Sequence, residues 1–111
     1  MNINDFLPLQ QPTLYILLSL RSGEKHGYAI LKEVAGLSQG RLILSTGTLY
    51  GALYRLLDQG IVEQLTPADG NRGKKTYRIT HSGLVVLNAE MDRMQQLLLL
   101  NERVLPDGGQ K

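Results

Sequence analysis

A change of hydrophobic period in mid-chain constrains this sequence more than anything else in it. Leu49, Leu53, Leu56 and Leu57 repeat at i, i+4, i+7 and i+8, which is one face of an α-helix, and Gly60 follows. Directly after it, residues 61–65 alternate with a period of two, and so do residues 75–80. Between these runs lies a stretch of breakers from Thr66 to Lys74. A helix therefore ends at Gly60 and a β-hairpin with a basic tip begins there.

The flanking segments read as helices. Pro12 is well placed at a first helical position, Leu14, Leu17 and Leu18 form a stripe, and Gly23 ends it, giving a helix over about 12–21. Ile30, Leu31 and Val34 mark a second helix over about 27–36, and Ser45 and Thr46 cap the third, over about 47–59. Arg41–Leu44 is β-prone. Residues 1–10 read as a loose arm with Phe6 and Leu7 as anchors. After the hairpin, Leu84, Leu87, Met91, Met94 and Leu98 step by three and four, the a/d seam of a coiled coil, in a helix over about 81–102. Residues 103–111 read as a flexible tail.

The expected fold class is mainly α with a small β-hairpin. Three helices followed by a hairpin make a winged helix-turn-helix over residues 1–80, and the last helix extends from it. In that architecture the third helix enters the major groove and the hairpin, or wing, reaches the neighbouring backbone. Some winged helices bind only protein, so a protein-interaction module without DNA binding is the alternative.

Charge bears on the choice. The chain carries a formal charge of +2, but residues 1–80 hold nine basic and six acidic side chains while residues 81–111 hold three and four. The positive excess sits where phosphates would lie, although the same charges also fit an ordinary solvated surface. The third helix presents Thr46, Thr48, Tyr50, Gly51, Tyr54 and Arg55 outward, and the wing adds Arg72, Lys74 and Lys75; these are the candidate DNA-binding residues. Gly47 and Gly51 each cost a helix about 1 kcal/mol against alanine, which suggests that another surface approaches the backbone there. Tyr50 and Tyr54 also fit as half-buried packing residues.

Other classes find little support. With no cysteine and two histidines, neither a disulfide, a thiolate nucleophile nor a multi-histidine metal site is expected, and no cofactor is implied. No nucleophile–base pair stands out, and His26 reads as a helix-start residue rather than a catalyst. Gly70–Lys75 lacks the spacing and the strand-to-helix context of a phosphate loop. No secretory signal or bilayer-length apolar run is apparent, so the expected compartment is the cytoplasm and no membrane partner is expected. Leu97–Leu100 fits helix amphipathicity better than a membrane patch.

Three motifs then resemble a known family. His26-Gly27-Tyr28-Ala29-Ile30, then Thr46-Gly47-Thr48-Leu49-Tyr50 with Leu53, Arg55 and Leu56, then Lys75-Thr76-Tyr77-Arg78-Ile79-Thr80 with Gly83, are similar to the pattern of PadR transcriptional regulators, in order and over residues 9–100. The family often has proline where Thr46 stands. The short chain with one C-terminal helix resembles its compact branch. The resemblance implies a homodimeric repressor on a roughly palindromic operator, joined through the C-terminal helix packing near helix 1. The seam asks for a partner independently, since a lone 111-residue subunit offers it little surface. Leu14, Leu84, Leu87, Met91, Met94 and Leu98 are the candidate dimer interface. The resemblance also implies that a small-molecule inducer could act between subunits, for which Phe6, Tyr15, Met91 and Met94 are the candidate pocket.

Overall fold

The computed structural model describes residues 2–66 and 75–104. A one-turn 3-10 helix (Ile3–Phe6) leads into α1 (Gln11–Arg21), β1 (Lys25–His26), α2 (Gly27–Leu37), α3 (Thr46–Asp58), β2 (Val62–Leu65), β3 (Thr76–Ile79) and α4 (His81–Arg103). The sheet is antiparallel in the order β1-β3-β2. This is a winged helix-turn-helix followed by a long C-terminal helix.

Local chemistry sets the boundaries. Pro12 occupies the first turn of α1, Ser45 caps α3 by accepting from the Thr48 N–H at 3.1 Å, and Thr80 caps α4 by accepting from the Gly83 N–H at 3.0 Å. Gly60 ends the α3 turn with φ +74°, a backbone conformation that favours glycine.

α1 lies at the centre of the fold. It packs against α2, α3, α4 and β3, which is why Ile16 and Leu20 are buried along with Leu14 and Leu17. Ile30 and Val34 of α2, Leu49, Leu53 and Leu56 of α3, Tyr77 and Ile79 of β3, and Val86 and Leu87 of α4 complete one continuous core. The expected boundary at residue 81 therefore does not divide the packing, because the first half of α4 belongs to the same core. Gly83 lets it dock: a β-carbon there would run into the Ile61 carbonyl oxygen and come within 2.7 Å of Ile79 Cγ1.

Two expectations need correction, and one strand is added. Arg41–Leu44 is not a strand; it links α2 to α3 with Leu44 buried and Ile43 exposed, and the sheet among the described residues consists of β1, β3 and β2 without it. The buried Ser38 hydroxyl holds this connector, accepting from the Leu42 N–H at 3.0 Å. The additional strand is β1, where Lys25 and His26 stand opposite Tyr77 and Thr76. The arm is also not loose. Its Ile3, Phe6, Leu7 and Leu9 pack on the core.

The carboxylate of Glu90, which is fully buried, accepts from the Leu9 N–H at 3.0 Å and pairs with Arg93 at 2.6 Å. The Arg93 guanidinium and, less strongly, the Leu9 N–H hold the Glu90 carboxyl below its ordinary 4.5, against the opposing effect of burial. A depressed carboxyl stabilises the fold above its unfolded-state pKa, and that contribution disappears as pH falls through the folded value. Wild type is thus expected to lose stability below about pH 4.5, with exchange of the Leu9 amide accelerating first. Glu90→Gln should lower stability at neutral pH and flatten the acid dependence. Equal acid sensitivity in the variant and wild type, followed by thermal denaturation, would contradict this account.

Candidate nucleic-acid interface

The face of α3 turned from the core is decided by the leucines on its other side. With Leu49, Ala52, Leu53 and Leu56 buried, Thr46, Gly47, Thr48, Tyr54 and Arg55 are exposed and Gly51 is partly so. Ser45 Oγ donates to Thr48 Oγ1 at 3.0 Å, which leaves the Thr48 hydroxyl proton free to point outward. Arg55 takes part in no ion pair among the described residues.

The two helix glycines have no internal reason to be glycine. A β-carbon at Gly47 would find only Ser45 Oγ at 4.0 Å, and one at Gly51 only Arg55 Nη1 at 3.8 Å. Neither has a positive φ. The fold would accept a larger residue at each, and a helix would prefer one.

The tyrosines divide. Tyr54 is 62% exposed, whereas Tyr50 is half-buried with its hydroxyl set against Gly27 at the start of α2, where a β-carbon would collide with it. Their rings lie 6.3 Å apart. Burial, with smaller contributions from the Tyr50 and Tyr54 hydroxyls, pushes the Tyr77 phenol above its ordinary value. Tyr50 is thus partly a packing residue and Tyr54 stands free.

Of the wing residues, Lys75 is exposed at the base of β3, and Arg72 and Lys74 lie outside the described residues. Several cations are already engaged: Arg78 donates to Glu63 at 3.1 and 3.2 Å, and Lys25 donates to the Ser19 carbonyl at 2.6 Å and lies 3.7 Å from Glu33. His26 Nδ1 is 3.3 Å from the Lys75 carbonyl, a tie between β1 and the wing. Tyr28, quoted in the family motif but not among the candidate contacts, is 71% exposed in the first turn of α2 with Lys32 Nζ 5.7 Å from its ring centroid. Its place directly after His26 and Gly27 at a helix start was the available signal.

The seam of α4 splits in two. Leu14 and Leu87 are buried in the subunit's own core, Leu84, Met91 and Met94 are half-buried on it, and Leu98 is 64% exposed. Leu97–Leu100 are all exposed, so amphipathicity does not explain them: four consecutive residues point around the whole helix. Of the candidate pocket residues, Phe6 lines a cavity of about 450 Å3 beside α1 and α3, which Tyr15, Met91 and Met94 do not line. Among the described residues no group of histidine and acidic side chains could hold a metal ion, and no helix is long and apolar enough to cross a membrane.

A model of the PadR-like family of transcriptional regulators matches residues 16–89. The chain is 30% identical over 91 residues to the transcriptional regulator YqjI of Escherichia coli K12, covering 82% of this chain and 41% of that protein; it thus spans about two fifths of the relative's length. Among solved structures it resembles a transcriptional regulator from Clostridium thermocellum, with TM-score 0.70 and 20% identity over 93% of each chain. It also resembles Bacillus subtilis PadR in complex with operator DNA, with TM-score 0.63 and 27% identity over 74% of this chain and 47% of that one. The matched segment runs from the centre of α1 through the wing into the buried half of α4, and on that ground the chain belongs to the PadR-like family of transcriptional regulators.

Proposed function

We propose that the protein binds duplex DNA as a homodimer, sets α3 of each subunit into the major groove, and represses transcription from a roughly palindromic operator. The observation that carries this reading is the outward face of α3, where hydroxyls and a guanidinium surround two glycines that nothing inside the subunit requires. Thr46, Thr48 and Gly51 meet the groove, Tyr54 and Arg55 reach phosphate or base edges, and Tyr50 supports them from below. Lys75, with Arg72 and Lys74, supplies sequence-independent affinity. The solved operator complex of Bacillus subtilis PadR supports the assignment by analogy.

The test is a gel shift with the DNA upstream of the protein's own gene, compared with a scrambled duplex over a range of salt. Preferential binding with a steep salt dependence is expected. A folded protein that shifts neither duplex at low salt would overturn the proposal and favour a protein-interaction module.

Dimerisation engages the far end of α4. Residues 95–104 are all exposed, and covering the remaining exposed surface of Leu97 and Leu98 with a second copy would stabilise the pair by about 1–2 kcal/mol for each leucine. Leu87→Glu would be a poor probe, because it places a charge in the subunit core. The double variant Leu97→Glu, Leu98→Glu should give folded monomers in analytical ultracentrifugation. It should also bind operator at least about tenfold more weakly, since each half-site is then held alone. An unchanged dimer would remove this segment from the interface. An inducer would release the operator by favouring the DNA-free arrangement of the dimer.

A further inference from the structure

The cavity lined by Phe6 is not used in the function proposed above. Its volume of about 450 Å3 falls in the range of small-molecule sites. Leu17, Leu56 and Val86 give it an apolar floor and Phe6 an aromatic wall. Two opposite full charges, Asp5 and Arg55, line it as well, both exposed and neither in an ion pair among the described residues. Oppositely charged groups that share a cavity without meeting leave a gap that a molecule carrying both charges can bridge.

Arg55 belongs to two surfaces. Along α3 it lines the cavity with Ala52, Leu56 and Gln59, while its Nη1 lies 3.8 Å from where a Gly51 side chain would begin. The arm that carries Asp5 and Phe6 is pinned by the hydrogen bond from Leu9 to Glu90. The wall is therefore held in place before any ligand arrives.

We propose that this cavity binds a small zwitterion with an apolar body, its cationic group on Asp5 and its anionic group on Arg55. Occupancy draws the Arg55 guanidinium into the cavity and away from DNA. The ligand class rests on the cavity alone; the effect on DNA rests also on the function proposed above.

The test uses L-phenylalanine, phenylacetate and phenethylamine as probes, titrated into the full chain without DNA and followed by the methyl resonances of Leu56 and Val86. Phenylalanine should shift both resonances, and each singly charged analogue should bind about tenfold more weakly for the lost charge-assisted contact. Asp5→Asn should reduce phenylalanine to the level of phenylacetate and leave phenylacetate unweakened. No shift with millimolar phenylalanine, or equal binding of all three probes, would overturn the proposal. In a second arm, phenylalanine should weaken operator binding by wild type but not by Asp5→Asn, which should bind DNA normally when ligand-free. A cavity that fills without changing operator affinity would overturn the coupling. Failure of ligand-free wild type to bind DNA would instead overturn the proposed function, leaving the probe titration to judge the cavity.

Discussion

Gly51→Leu is expected to make the protein more stable and to remove its affinity for DNA. The two effects have opposite signs because two different surfaces read the position. Inside the subunit a side chain at residue 51 meets only Arg55 Nη1 at 3.8 Å, a flexible end that can move. Replacing glycine in a helix interior then gains about 0.8 kcal/mol. Outside, a leucine would stand between α3 and the groove floor and hold Thr48 and Arg55 off their partners. Losing two such contacts at about 1–3 kcal/mol each weakens operator binding at least about 100-fold. Gly36→Ala is the control. Gly36 is also a helical glycine with nothing within 4 Å, it lies on α2, and the change should raise the melting temperature with no loss of DNA affinity. A Gly51→Leu protein that melts higher and still binds operator like wild type would remove α3 from the interface.

Gly83→Ala is expected to be the most damaging glycine-to-alanine change among the described residues, because the new methyl group meets backbone. The new β-carbon would collide with the Ile61 carbonyl oxygen, which already accepts from the Thr80 N–H at 3.0 Å and so cannot swing aside cheaply. Ile79 Cγ1, at 2.7 Å, closes the other side. Relief requires α4 to move off the hairpin, and α4 carries Val86, Leu87 and Glu90 into the core. Overpacking of this kind costs about 1–3 kcal/mol or more, which in a chain of this size corresponds to a fall in melting temperature of about 5–20 °C at fixed protein concentration. A fall of a degree or less would show that α4 does not pack as tightly on the Ile61 strand entry as described.

Much of this architecture was readable from local signals. Ser45, Thr80, Pro12 and Gly60 mark helix ends because each satisfies or releases backbone groups at its own position, and α3 and the two hairpin strands stand within a residue or so of where periodicity puts them. The outward face of α3 was equally readable, since Leu49, Leu53 and Leu56 leave only one side free. The features that escaped are non-local. β1 is two residues long and exists only through pairing with β3, some fifty residues later. The burial of α1 on several sides depends on four different elements reaching it, so a single stripe of Leu14, Leu17 and Leu18 understated it. The burial of Glu90 has no local mark in the sequence. Its neighbour Arg93 at i+3 was visible, but the Leu9 N–H that helps hold it in the interior was not. The seam of α4 was read as one interface because spacing cannot say where the subunit's own core stops; Leu87 falls inside that limit and Leu98 beyond it.

The claim that α3 meets DNA is tested most directly by backbone amide resonances of the protein with and without the duplex from upstream of its gene. Shifts concentrated at Thr46, Thr48, Gly51, Tyr54 and Arg55, and present only with the specific sequence, are the expected result. A bound complex in which those amides stay in place while others move would contradict it.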